Sequence, residues 1–187
     1  MKKKIKTHQI INLIFSGIGL IGLFLPYSSS CGECRNFLLS NPNAFLAEEI
    51  GFKRIDAVDL SMLENLRLYF LMKDNYHGYN FDTGEAILNI VLIITLIVAI
   101  LFILLFTLLN KPVANIIFAL ILAAASLLMN YDAELRHVLP SDNYTCGFTY
   151  YLYTPLAVAV IVCSIVGIVI KKREKKAARL SNFAHAK

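Results

Sequence analysis

Two cysteines separated by two residues, Cys31-Gly32-Glu33-Cys34, are the stretch of this chain best equipped for chemistry. Such a pair can close a small disulfide ring, and it can exchange electrons with another dithiol when one thiolate is stabilised and exposed. Cys146 lies far along the chain and Cys163 sits inside an apolar run. Three uses are open to these thiols. Cys31 and Cys34 could serve a thiol-disulfide oxidoreductase. Cys146 could bridge to Cys31 or Cys34, stabilising the fold by roughly 2 to 4 kcal/mol and leaving one odd thiol free or linking two protomers. Cys31, Cys34 and Cys146 could ligate zinc with His77 or His137, although one Cys-x-x-Cys without a spaced histidine is a thin zinc signature. The structural bridge is the expected use, with no metal and no cofactor.

These residues are positioned by four apolar runs, at about 10–27, 86–109, 112–130 and 152–170. The run from Ala86 to Leu109 is uncharged, and only the Asn110-Lys111-Pro112 turn divides it from the next. A bilayer core of roughly 30 Å takes about 20 apolar residues in a helix, so each run has spanning length. With 57% hydrophobic residues and a mean hydropathy of +0.62, the chain reads as an all-α membrane protein. The expected architecture is a single polytopic domain, a four-span transmembrane helix bundle with a partly helical outer domain formed by the long first loop, 28–85. The second outer loop covers 131–148.

The net charge of +5 does not indicate nucleic acid, because the charges are sorted along the chain. Lys2, Lys3, Lys4 and Lys6 precede the first run, Lys111 lies in the turn, and a basic tail from Lys171 to Lys187 follows the last. Among these segments the one acid is Glu174, whereas the two outer loops hold six Lys or Arg against twelve Asp or Glu. The positive-inside rule then places both tails, 1–9 and 171–187, in the cytoplasm of an integral, multi-pass protein of the cell membrane. The Met-Lys-Lys-Lys start resembles the n-region of a secretory signal, but an even number of spans with a basic C-terminal tail requires the first run to be retained.

Within the long loop, Asn43 can cap a helix over 44–50 closed by Gly51, and Ser61 with Glu64 forms a capping box opening a helix to about Lys73. Its apolar face, Leu63, Leu66 and Phe70, is expected to bury against the outer ends of the spans. Asp82 with Glu85 offers a second capping box, and His77 reads as a solvated loop residue.

Small residues mark the faces on which the spans approach: Ser16, Gly19 and Gly22 on the first, Ala119 and Ala123 on the third, Ala159, Cys163 and Gly167 on the fourth. Gly17 to Gly22 also fits a dinucleotide-binding glycine pattern, a spurious match because it lies inside an apolar helix rather than between a strand and a soluble helix. Tyr27, Tyr150, Tyr151 and Tyr153 are expected to form interfacial belts. No Asp, Glu, Lys, Arg or His falls within the spans, and their polar residues read as isolated, which argues against ion-coupled transport. Asn143-Tyr144-Thr145 is a glycosylation acceptor triplet in an outer loop.

The layout is similar to that of the quinone-coupled membrane proteins that regenerate disulfide catalysts, with a Cys-x-x-Cys on the outer side of four spans. Those proteins bring a second cysteine pair, where this chain has Cys146 and Cys163 singly. The layout also resembles tetraspan proteins such as claudins, whose first-loop tryptophan motif and widely spaced cysteines are missing here. No family follows from either likeness. The expected function is non-enzymatic: an integral membrane protein presenting a folded extracytoplasmic domain to a membrane or extracytoplasmic protein partner, or to another copy of itself. The alternative is a membrane thiol-disulfide oxidoreductase using Cys31 and Cys34.

Overall fold

The computed structural model describes residues 6–48, 51–75 and 83–185. His77, the Asp82 partner of Glu85, and Lys2 to Lys4 lie outside the described residues. The chain is mostly helical, with α1 (Thr7–Gly22), α2 (Gly32–Ser40), α3 (Met62–Asn75), α4 (Thr83–Leu108), α5 (Pro112–Leu135) and α6 (Phe148–His185). Short strands β1 (Pro26–Ser30), β2 (Phe45–Ala47), β3 (Phe52–Lys53), β4 (Asp59–Ser61) and β5 (Tyr144–Cys146) lie between them. The fold is therefore not all-α.

Among the described residues, three helices are long and apolar enough to cross a membrane: Gly84–Leu108, Pro112–Leu135 and Phe148–Ala177. Their composition suggests a membrane protein. α1 has 16 residues, about 24 Å at 1.5 Å per residue, which is short of a roughly 30 Å hydrocarbon core. Its apolar segment nevertheless continues past Gly22. Leu23, Phe24 and Leu25 each donate a backbone hydrogen bond three residues back, to Leu20, Ile21 and Gly22, so the helix tightens for one more turn. Pro26 lacks the amide to carry this on, and the chain becomes extended.

α4 and α5 form a hairpin because Asn110 takes a left-handed conformation at φ 56° and Pro112 occupies the first turn of α5. α6 packs along α5 and α1, and α1 also touches α4. The shared core runs through Leu96, Ile100, Leu122, Tyr153 and Val160, all fully buried.

Opposite the Asn110 turn, a three-stranded antiparallel sheet of order β4-β1-β5 closes the bundle. β1 leaves α1 and β5 enters α6, so their pairing (Ser28 opposite Cys146, Ser30 opposite Tyr144) ties the two segments together at one end. This is the sheet end. Gly147 sits where the backbones nearly touch: its amide donates to the Tyr27 carbonyl at 2.8 Å, and a Cβ there would meet the Pro26 carbonyl oxygen at 2.4 Å.

The segment between β1 and α3 carries a small core of its own, built on Leu38, Phe52, Val58 and Leu60. The helix expected over 44–50 does not form. Phe45 to Ala47 instead pairs with Phe52 and Lys53, and Gly51 supplies a positive φ of 62° for the turn. The helix lies earlier, at α2. The Ser61-Glu64 capping box is present, with the Ser61 amide donating to Glu64 Oε2 at 2.7 Å and the Glu64 amide to Ser61 Oγ at 3.2 Å. Leu63 and Leu66 of α3 pack on the bundle core, while Phe70 points away.

Candidate functional site

Cys31 is the N-cap residue of α2 and Cys34 stands one turn on, at its third position. The pair thus occupies a helix start that its residues do not signal, where partial positive charge gathers. Both thiols are free and half-buried. Residues three apart at a helix start are neighbours. Burial, with Cys31 close by, pushes the Cys34 thiol above the ordinary range.

Cys146 is not placed to bridge them. The Cys31 amide donates to the Asn143 carbonyl at 2.9 Å, whereas Cys146 stands opposite Ser28. Three residues of strand separate Cys146 from the Cys31 position, about 10 Å, where a disulfide tolerates at most about 7 Å between Cα atoms. The expected staple between the two loops is a hydrogen-bonded strand pair, and all four cysteines are free. Among the described residues no three of His, Cys, Asp and Glu converge on a metal position. His137 does not join Cys31, Cys34 and Cys146 in a zinc site.

Beneath the sheet, α5 runs past Asn130 to Leu135 and brings ionisable groups to the bundle end. Arg136 pairs with Asp132 and, at 3.1 Å, with Glu85 of α4, while Asn89 donates to Asp132 at 2.8 Å. Of these, Asn89 and Arg136 line a partly open cavity of about 350 Å³ between α3, α4, α5 and the sheet, together with Ile93, Met129, Leu60, Leu68 and Tyr144. Tyr144 donates its hydroxyl to the Ala57 carbonyl at 2.7 Å, and burial, with Cys34 nearby, pushes its phenol up to about 12.

The four tyrosines do not form a belt. Tyr27, Tyr150 and Tyr153 are buried and only Tyr151 faces outward. Each buried hydroxyl has a partner inside the protein: Asn130 at 3.2 Å for Tyr27, Glu134 for Tyr150, the Gly19 carbonyl at 3.4 Å for Tyr153. A satisfied hydroxyl removes the reason for a tyrosine to stay at the interface.

On α1, Ser16 is buried and returns its hydroxyl to the Asn12 carbonyl at 2.8 Å, and a Cβ on Gly22 would stand 2.6 Å from Leu152. Gly19 lies against Ile100. Ala119 of α5 is buried, with Ala123 packed at the edge of the same core. On α6 the buried line runs through Ala157, Val160, Ser164 and Gly167, with Ala159 and Cys163 half-exposed beside it.

At the Asn110 turn a second polar group was hidden from the sequence. α1 begins at Thr7, so His8 and Gln9 enter the bundle and are buried. Asn12 donates to Ser164 at 3.2 Å and Asn115 to Thr107 at 2.8 Å. Asn12, Ser164, Asn115 and Thr107 are thus paired across helices.

Finally, the segment between β1 and α3 exposes Phe37, Leu39, Phe45, Leu46 and Ile55, each 45 to 52% accessible. Arg54 lies over the Phe37 ring at 4.1 Å.

Fold and site together define a mostly helical protein with three helices long and apolar enough to cross a membrane among the described residues, a small sheet across one end and a thiol pair beside it. No protein-family model matches the chain, and neither a curated protein nor a solved structure is similar enough to show kinship.

Proposed function

We propose that the chain is a non-enzymatic tetraspan membrane protein that presents the folded 26–75 segment on the outside of the cell membrane to a protein partner. α1 with its tightened turn through Leu25 makes the fourth crossing, and the basic tails and Lys111 lie in the cytoplasm. The observation that carries the reading is that Phe37, Leu39, Phe45, Leu46 and Ile55 stay exposed on a segment that already has its own buried core. Five large apolar side chains left at the surface of so short a segment support an interaction role. A photo-crosslinking residue at Phe45, activated in intact membranes, tests it. The expected product is one discrete protein adduct, lost when Leu46→Asp disrupts the face; adducts to lipid alone would remove the partner from the proposal.

A second reading is favoured by one observation, the position of Cys31 and Cys34 at the start of α2. In a thiol-disulfide oxidoreductase the Cys31 thiolate would attack a partner protein's disulfide and form a mixed disulfide, releasing one partner thiol. Cys34 would then displace the second, leaving a Cys31–Cys34 ring and a reduced partner. A Cys34→Ser variant should trap the mixed disulfide on a non-reducing gel. Failure to trap any adduct, with Cys31 freely alkylated throughout, sinks this reading and leaves the first untouched.

A further inference from the structure

At the end of the bundle opposite the sheet, the Asn110 turn and α6 leave an open groove of about 620 Å³ between them. Its apolar part is built by Phe106 of α4, Val113 and Ile117 of α5, and Ile168 of α6. Val113 and Ile117 are 61% and 52% exposed, so the groove stays open to its surroundings. Its rim is cationic. Lys111 stands at the start of α5, and Lys171, Lys172 and Lys175 continue the face of Ile168 at the spacing of successive helical turns. One stripe of α6 thus passes from apolar to charged.

Lys171 donates to the Asn110 carbonyl and pins α6 to the turn. Glu174, the one acid in the basic segments, is held by Lys6 at the start of α1. Among the described residues Lys111, Lys172 and Lys175 have no carboxylate partner. Three ammonium groups therefore border one groove without a counter-charge from the chain. Topology alone does not ask for this. The positive-inside rule needs cations on one side of the membrane, and Arg173 and Lys176 serve it without lining the groove.

The level of the groove selects its occupant. It begins on the apolar helices Gly84–Leu108, Pro112–Leu135 and Phe148–Ala177 and ends at their charged termini, where a phospholipid changes from chain to headgroup. A soluble anion would leave Val113 and Ile117 uncovered, and a zwitterionic lipid would bring a further ammonium beside the lysines. We infer that this groove binds an anionic phospholipid, its phosphate among Lys111, Lys172 and Lys175 and an acyl chain along Val113, Ile117 and Ile168. The inference requires the helices to lie in a membrane; it is independent of whether α1 crosses and of what meets the sheet end.

The test places the full chain in nanodiscs of phosphatidylcholine containing a small share of either phosphatidylglycerol or phosphatidylcholine with a diazirine in the upper part of one acyl chain. After irradiation the adducts are mapped by peptide mass spectrometry. Val169, 45% exposed on α6 and outside the groove, reports the surrounding lipid. Phosphatidylglycerol should label Val113, Ile117 and Ile168 about tenfold more than phosphatidylcholine does, with a much smaller ratio at Val169. Lys172→Gln with Lys175→Gln should bring the groove ratio down to that at Val169. Arg173→Gln with Lys176→Gln removes the same charge off the groove and should leave the groove ratio within about twofold. All four of these residues are exposed, so neither variant disturbs the packed core. Excess glycerol phosphate, the head without its chains, should not displace the label. Equal ratios at the groove and at Val169, equal loss in the two double variants, or displacement by glycerol phosphate each overturns the inference. Absence of labelling at Val169 by either lipid overturns the membrane placement beneath it as well.

Discussion

The Asn89 side-chain amide on α4 donates to the Asp132 carboxylate on α5 at 2.8 Å, and Asp132 in turn holds the Arg136 guanidinium. One carboxylate thus joins two neighbouring helices and the group that caps the second. The Asp132 and Arg136 side chains are only 16% and 18% exposed, so neither has full access to water as a substitute partner.

Removing Asp132 should therefore cost more than removing Asn89. Asp132→Ala leaves a mostly buried guanidinium with Glu85 and Tyr69 but without its carboxylate on α5, and the expected loss is about 2 to 3 kcal/mol. Asn89→Ala should cost about 1 kcal/mol. Because the two share a bond, the double variant should lose less than the two single losses combined. Unfolding in mild detergent, followed by circular dichroism, measures all three; strict additivity would show that the bond does not couple the helices.

Gly147 and Gly17 make a contrasting pair. A Cβ at Gly147 meets backbone, the Pro26 carbonyl oxygen at 2.4 Å, and backbone cannot rotate away. A Cβ at Gly17 meets nothing within 4 Å. Gly147→Ala should force β1 from β5 and cost about 3 kcal/mol. Gly17→Ala should be neutral or stabilise by up to about 1 kcal/mol through helix propensity. Comparable destabilisation by both would remove the close approach as the cause.

These contrasts mark what could be read from the residues. Apolar runs of spanning length are a local signal, and so is a capping box, which needs only Ser61 and Glu64 three residues apart. The sheet was out of reach. β1 pairs with residues more than a hundred positions away, and strands of three to five residues carry too short an alternation to show a buried face. The start of α2 was hidden because Cys31 and Gly32 are poor helix signals and Leu38 is its one fully buried side chain. His8 escaped for another reason: a hydropathy scan starts a span at the first apolar residue, whereas α1 begins three residues earlier and buries His8 beside Gly167. The tyrosines were assigned by type, and only the packing reveals that Asn130, Glu134 and the Gly19 carbonyl already satisfy them.

Cys34 should alkylate with an unusual pH profile. Burial raises its pKa, and Cys31 beside it adds to the shift. The thiolate is the reactive form, so a raised pKa means a smaller thiolate fraction at neutral pH and a rate that keeps climbing into more alkaline solution. Iodoacetamide labelling of native protein, quantified at the Cys34 peptide, should show its midpoint at higher pH than the same peptide in denatured protein. A native midpoint equal to or below the denatured one would contradict the burial of this thiol and would favour Cys34 as an attacking group.

Orientation can be tested with the same chemistry. In the proposed topology the sheet end, with Cys31, Cys34 and Cys146, lies outside the cell, while α6 carries its basic stretch, including Lys172, Lys175 and Lys176, into the cytoplasm. A membrane-impermeant maleimide applied to intact cells should label Cys31, the half-buried thiol at the N-cap of α2. A cysteine introduced as Lys175→Cys, in a chain whose native cysteines are serine, should be labelled only after permeabilisation. The two sites bracket α4, α5 and α6, so the pattern tests whether these helices cross an odd number of times. If Lys175→Cys and Cys31 are both reached from outside, one of these three helices fails to cross. If only Lys175→Cys is reached, the bundle is inverted and the apolar face at Phe45 points to the cytoplasm, where a partner would have to be sought.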